Sequence, residues 1–89
     1  MEILNLNNFN LKYNEKNLIS VIVQDNKTSS ILMMAWMNLE SLKKTLKNRN
    51  MVYWSRSRNE LWTKGETSGN NQRLVRMYVD CDRDCLLAK

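Results

Sequence analysis

Apolar residues along the chain fall into short runs that are separated by polar segments. Leu18 to Gln24 (LISVIVQ) is rich in β-branched residues, and Ile31 to Met37 (ILMMAWM) is nearly continuous. The residues between them, 25–30, are typical of turns, so the two runs predict a β-hairpin. A nearly continuous apolar strand is typical of one that is covered on both faces, and we expect this for residues 31–37.

One segment has the spacing of an α-helix. Leu39, Leu42 and Leu46 recur at intervals of three and four residues, and lysines occupy the other side. Asn38 can cap the first turn, where Glu40 suits the helix dipole. We predict a helix over residues 39–49, with its lysines as a solvated face and not as a nucleic-acid patch.

The remaining pattern is that of a β-rich domain. Further strands are predicted at 51–56, at 61–62, at 72–81 and from residue 86 onward. Residues 1–17 give a weak signal for an N-terminal arm or short helix, and 64–71 is the most loop-like segment. We therefore predict the α+β class: a small single domain over 18–89 with a mainly antiparallel β-sheet and one helix.

Composition limits what such a domain can do. With 89 residues, its core is small, so a homodimer or a bound metal is a natural reinforcement. The chain has no histidine, which excludes histidine-based catalysis and His-ligated zinc within these residues. The net charge of +5 favours an anionic partner. No apolar stretch approaches a membrane span and no signal peptide is visible, so we expect a cytoplasmic protein without a membrane partner.

The segment Asp80-Cys81-Asp82-Arg83-Asp84 carries the strongest chemical signal. In an extended segment, side chains alternate between faces, so the three carboxylates would share one face and Cys81 would point to the other. Carboxylate oxygens suit Mg²⁺, Ca²⁺ or Mn²⁺, whereas a thiolate suits Zn²⁺. A calcium loop of the EF-hand type fails, because its sixth position requires glycine and is Cys85 here. A solvated turn without any metal remains the alternative.

A second signal lies in residues 54–69. Arg56 and Arg58 alternate with serines, and two arginines facing one way can bind phosphate. The loop that follows contains Gly-Glu-Thr-Ser-Gly, whose backbone N–H groups and hydroxyls can bind the same anion. The candidate substrate-binding residues are Ser55, Arg56, Arg58, Lys64, Thr67 and Ser68.

Four motifs together resemble a known family. They are Leu32-Met33-Met34-Ala35-Trp36-Met37-Asn38, Tyr53-Trp54-Ser55-Arg56-Ser57-Arg58, Leu61-Trp62-Thr63-Lys64-Gly65-Glu66-Thr67-Ser68-Gly69-Asn70, and Val79-Asp80-Cys81-Asp82-Arg83-Asp84. In this order and spacing they closely resemble phosphoribosyl-AMP cyclohydrolase. The resemblance covers the chain from about Leu18 onward.

The resemblance implies an enzyme of histidine biosynthesis. Such enzymes hydrolyse the N1–C6 bond of the adenine ring in 1-(5-phosphoribosyl)-AMP with a zinc-activated water, and they are homodimers. By analogy Asp80, Asp82 and Asp84 would be Mg²⁺ ligands, and Cys81 would be a Zn²⁺ ligand. The family's chain continues into a segment with two more cysteines and a histidine, so we expect these 89 residues to be a truncated copy with little activity alone.

Two other functions compete with this interpretation. A non-catalytic remnant could still dimerise and bind Mg²⁺ or a nucleotide. A module for single-stranded nucleic acid would explain the basic charge and the tryptophans but leaves the aspartates unexplained, because carboxylates repel phosphate. We therefore expect phosphoribosyl-AMP, and no nucleic acid, as the partner.

Overall fold

A computed structural model describes residues 2–4, 10–65 and 72–89. In chain order its elements are β1 (Glu2–Ile3), β2 (Ile19–Gln24), β3 (Ile31–Met37), α1 (Leu39–Asn48), β4 (Val52–Ser55), β5 (Glu60–Thr63), β6 (Met77–Val79) and β7 (Cys85–Ala88). The single small domain of the α+β class, with one helix among these residues, is confirmed. This helix is too short and too polar to cross a membrane.

Seven strands form two sheets in the described part of the chain. The larger sheet has the order β1-β6-β7-β2-β3, and β4 and β5 form a separate hairpin. The pairs in the larger sheet are antiparallel except β2 with β7, which run parallel from Ser20 opposite Cys85 to Val23 opposite Ala88. The sheet is therefore mixed, and the predicted hairpin of β2 and β3 is present.

The long strand predicted over 72–81 is wrong in its extent, because only β6 within it is a strand. The residues just before β6 form backbone hydrogen bonds with two different parts of the chain. The backbone N–H of Met51 donates to the carbonyl of Gln72 at 3.0 Å, and that of Val75 donates to the carbonyl of Lys89 at 2.7 Å. This segment therefore joins the end of β7 to the start of the β4–β5 hairpin.

Helix α1 begins at a capping box. The carbonyl oxygen of the Asn38 side chain accepts from the backbone N–H of Ser41 at 2.8 Å, and the Ser41 hydroxyl accepts from the backbone N–H of Asn38 at 2.9 Å. The helix ends at Asn48 and is capped by Arg49, which adopts the left-handed conformation with φ 63°. The predicted cap is confirmed, and the predicted helix is one residue too long.

The core lies between the larger sheet, the helix and the β4–β5 hairpin. Alternate residues of β2 point into it, and Leu42 and Leu46 of the helix pack from the other side. Thr45 is fully buried, and its hydroxyl accepts from the N–H of Val52 at 2.9 Å and donates to the carbonyl of Val52 at 3.2 Å. One side chain thus fixes the helix to the first residue of β4.

The expectation that β3 is covered on both faces is wrong for the single chain. β3 is an edge strand, and Ile31, Leu32 and Met34 are 63%, 52% and 57% exposed. A continuous apolar run indicates a buried strand, but it does not show whether the strand lies inside the sheet or at its edge. An apolar edge strand of this kind is open to pairing with another chain.

Several chain segments meet at one edge of the larger sheet. β2 and β7 begin there, while β3 and β6 end there, because Ile19 lies opposite Met37 and Val79 lies opposite Leu86. Glu2 of β1 reaches the same edge beside Val79. We call this the site edge, since the candidate residues described next lie along it.

Candidate functional site

The aspartate triplet lies in the turn between β6 and β7, at the site edge. The backbone N–H of Asp80 donates to the carbonyl of Cys85 at 3.1 Å, and that of Arg83 donates to the carbonyl of Asp80 at 3.1 Å. The Asp80 carboxylate accepts from the backbone N–H groups of Asp84 at 3.1 Å and Cys85 at 3.3 Å. We call residues 80–84 the aspartate turn.

The segment is not extended, so the alternation of faces considered for it does not apply. An aspartate side chain that bonds to backbone N–H groups ahead of it favours a turn over a strand, and Arg83 adopts a left-handed conformation with φ 61°. The turn nevertheless collects the three carboxylates: one oxygen from each of Asp80, Asp82 and Asp84 lies within 4.8 Å of the others.

This spacing fits a small divalent cation. Opposite ligands of Mg²⁺ are about 4.2 Å apart at bond lengths of 2.0–2.1 Å, and those of Ca²⁺ are somewhat farther apart. Neighbouring ligands of Mg²⁺ are about 2.9 Å apart, so the three carboxylates would close in further around an ion, and Asp82 and Asp84 are exposed. The donor set is purely oxygen, which suits Mg²⁺, Ca²⁺ or Mn²⁺.

Two carboxylates of the turn affect each other's protonation. Desolvation raises the pKa of Asp80, but the backbone and side-chain hydrogen bonds from Asp84 and the N–H groups of Cys85 and Arg83 lower it below the ordinary value. The pKa of Asp84 is raised by its hydrogen bond with the Asp80 side chain, by desolvation and by the charge of Asp80. A bound cation would relieve this repulsion between neighbouring carboxylates.

Arg83 fixes the aspartate turn to the N-terminal part of the chain. Its guanidinium pairs with Glu2 at 2.9 Å and donates to the carbonyl of Asn10, and its own carbonyl accepts from the N–H of Lys12 at 2.7 Å. Residues missed by the sequence interpretation therefore support the site. No local signal in residues 1–17 indicates this contact, because the partners are more than 70 positions apart.

The two cysteines differ in their surroundings. Cys81 is exposed at the aspartate turn and lines a cleft with Glu2, Asp80 and Arg83, whereas Cys85 is half-buried at the start of β7. Both are free thiols. A zinc ion needs three or four ligands, so Cys81 offers one ligand of such a site.

The predicted substrate-binding residues separate into different places. Ser55 ends β4 and its hydroxyl accepts from the N–H of Arg58 at 3.3 Å, while the Arg58 side chain pairs with Glu60 at 3.6 Å. The guanidinium of Arg56 lies over the ring of Trp36, 5.0 Å from its centroid. Lys64 lies 5.9 Å from the ring centroid of Trp62. The predictions for Thr67 and Ser68 fall outside the described residues.

A protein-family model and individual relatives match most of the chain. The family model for phosphoribosyl-AMP cyclohydrolase matches residues 33–89. The chain is 56% identical over 79 residues to a phosphoribosyl-AMP cyclohydrolase of Chlorobaculum parvum, and 59% identical over 78 residues to one of Ruegeria. These alignments cover 89% and 88% of this chain, but only 58% and 60% of those relatives. The chain thus spans about three fifths of the length of the curated relatives that it matches.

Proposed function

Because the chain belongs to the phosphoribosyl-AMP cyclohydrolase family, we propose that it serves the hydrolytic opening of the adenine ring of 1-(5-phosphoribosyl)-AMP in histidine biosynthesis. The bond that breaks is N1–C6. The phosphoribosyl group on N1 makes the ring cationic, so C6 is electrophilic and open to attack by water. The observation that carries this proposal is the cluster of three carboxylates in the aspartate turn of a chain from this family.

We propose that Asp80, Asp82 and Asp84 hold Mg²⁺. The Asp80 carboxylate is oriented by two backbone N–H groups before any ion binds, which lowers the cost of assembling the site. Mg²⁺ would supply positive charge for the phosphates of the substrate. The chain's own part in this step is to position the three carboxylates at the site edge.

Cys81 is our candidate for a Zn²⁺ ligand. Zinc would lower the pKa of a water molecule toward neutrality and so provide the nucleophile. The 89 residues contain two cysteines and no histidine, and Cys85 is half-buried in β7. Since the ligands needed for a complete zinc site are not all present, we propose that these residues alone hydrolyse little substrate.

The phosphates require cationic and hydroxyl groups. We propose that Arg56 and Ser55 bind the phosphates most directly, because they lie where β4 ends. Arg58 adds positive charge in the turn of the hairpin, although it is paired with Glu60, and Lys64 stays a candidate at the other end of the hairpin. Thr67 and Ser68 stay candidates on their sequence pattern alone.

We further propose that the protein acts as a homodimer through β3. The strand is at the edge of its sheet and carries the exposed apolar side chains of Ile31, Leu32 and Met34. Pairing with a second copy would cover them and satisfy the free edge of the sheet. A partner subunit could also bring further zinc ligands to Cys81.

A chimera tests the proposed activity. The 89 residues are joined to the segment that follows the matched region in the Chlorobaculum parvum relative, and ring opening is measured with Mg²⁺ and Zn²⁺ present. We expect turnover by the chimera, at least about tenfold less with Asp82→Asn, and little turnover by the 89 residues alone. An inactive chimera that folds and binds Mg²⁺ would favour the non-catalytic remnant instead. Family-like rates from the 89 residues alone would refute the proposed need for more zinc ligands.

A further inference from the structure

A second pocket lies along the same side of the molecule as the aspartate turn. Its volume is about 460 Å³, which is within the range of small-molecule sites. The residues that matter here come from the turn before β2, from the helix N-terminus and from the β4–β5 hairpin: Lys16, Asn17, Asn38, Trp54, Arg56 and Asn59. We call this the Lys16–Arg56 pocket.

The electrostatics of this pocket favour an anion. Lys16 and Arg56 bring two positive charges from separate parts of the chain, and none of the described lining residues is a carboxylate. Three asparagines add neutral amide donors. The side-chain oxygen of Asn38 is used in the helix cap, so its amide NH₂ is the group that it can offer. The positive end of the helix dipole lies at the same residue.

The backbone that carries Lys16 and the guanidinium of Arg56 are positioned before any ligand binds. The Asn14 side chain accepts from the backbone N–H groups of Lys16 at 2.9 Å and Leu18 at 3.0 Å, which fixes the turn that carries Lys16. Arg56 is held over the ring of Trp36. A planar guanidinium fixed by an aromatic ring keeps its N–H groups available for a phosphate.

The pocket and the aspartate turn lie at the ends of strands that belong to the same sheet. Cys85, at the end of the turn, lies opposite Ser20 of β2, and Ile19 of β2 lies opposite Met37, the residue before Asn38. Two strand spacings of about 4.8 Å separate β7 from β3. The strands that lead into the two sites, β7 and β3, are therefore about 10 Å apart across the sheet.

We propose that the Lys16–Arg56 pocket binds a phosphate monoester of a nucleotide, with Lys16 and Arg56 as its charged donors. The inference rests on the proposed function in one respect: the phosphate bound here would be the one on the substrate that lies away from the aspartate turn. Lys16, Asn17 and Asn59 are absent from the residues that the sequence pattern indicated. Trp54 provides the apolar wall beside the phosphate.

The test is a titration of the 89-residue chain with AMP, with adenosine and with inorganic phosphate, followed by calorimetry and by amide NMR. Lys16→Gln and Arg56→Gln should each weaken AMP binding about fivefold to tenfold, as expected for one charge-assisted hydrogen bond in a site open to water. Adenosine binding should not change. Lys47→Gln removes the same charge from the far end of the helix and should change AMP affinity by less than about twofold.

AMP affinity that is unchanged in Lys16→Gln, or that falls equally in Lys47→Gln, overturns the proposal. So do AMP-induced amide shifts that avoid Asn17 and Asn59. Because Lys16 is exposed on a turn, its variant should fold, and circular dichroism confirms this for each variant. A different result would contradict the proposed function. If the chimera is inactive but AMP still binds more tightly than adenosine, the ring-opening activity is refuted and the phosphate site still holds.

Discussion

Replacing Thr45 by valine should destabilise the protein more than replacing it by serine. Thr45 is fully buried and its hydroxyl makes two hydrogen bonds to the backbone of Val52. Valine keeps the shape of the side chain but leaves a buried N–H and a buried carbonyl without this partner. At about 1–3 kcal/mol for each unsatisfied group, and with the longer bond to the carbonyl at the low end, the cost is about 3 kcal/mol. Serine keeps both bonds and loses one methyl group, which costs about 1 kcal/mol.

Urea and thermal unfolding, each at two protein concentrations, measure this difference. For a domain of this size, 1 kcal/mol corresponds to about 4–8 °C in Tm, so Thr45→Val should lower Tm by about 12–24 °C and Thr45→Ser by about 4–8 °C. Native-state hydrogen exchange of the Val52 amide should also accelerate in the valine variant. If Thr45→Val is as stable as Thr45→Ser, the hydroxyl does not connect the helix to β4 as described.

Three other predictions follow from single contacts. Asn38→Ala should cost about 1 kcal/mol in urea unfolding, because it removes the helix cap; an effect no larger than that of Lys47→Ala would refute this. The backbone N–H of Thr28, its side chain and the N–H of Lys27 hold the pKa of Asp25 below its usual value, despite some desolvation. Asp25 therefore stabilises the fold when the pH is above the ordinary carboxyl pKa. This stabilisation is lost as the pH falls through the lowered pKa of Asp25. Asp25→Ala should thus lower the urea midpoint at pH 7, and the difference should shrink below about pH 4; a constant difference would contradict the cause given. Met34→Glu on β3 should shift the sedimentation coefficient from dimer to monomer without unfolding the chain, while Lys44→Glu on the helix should not; dimers that persist in Met34→Glu would argue against β3 as the interface.

The elements that the sequence predicted correctly are those with local causes. The helix follows from the spacing of its leucines and from Asn38, whose cap is formed within three residues of itself. The hairpin of β2 and β3 follows from two apolar runs on either side of a polar turn. In both cases the interacting groups are neighbours in the chain, so the pattern carries the information.

The errors have long-range or competing causes. The parallel pairing of β2 with β7 joins residues more than 60 positions apart, and no local pattern specifies it. The interpretation of residues 80–84 considered an extended segment, but the Asp80 side chain bonds to the backbone and closes a turn. In an extended strand the Cα atoms of Asp80 and Asp84 would be about 13 Å apart, so it is the turn that brings the three carboxylates together.

The proposed role of the aspartate turn is to bind a divalent cation. Calorimetric titration of the 89-residue chain with Mg²⁺, repeated with Mn²⁺, tests it most directly. We expect one ion per chain and a loss of affinity of at least about tenfold in Asp82→Asn, which keeps the side-chain shape and removes one anionic ligand. Lys47→Gln should bind as the unaltered chain does. If no ion binds, or if Asp82→Asn binds as tightly as the unaltered chain, the three carboxylates form only a solvated turn.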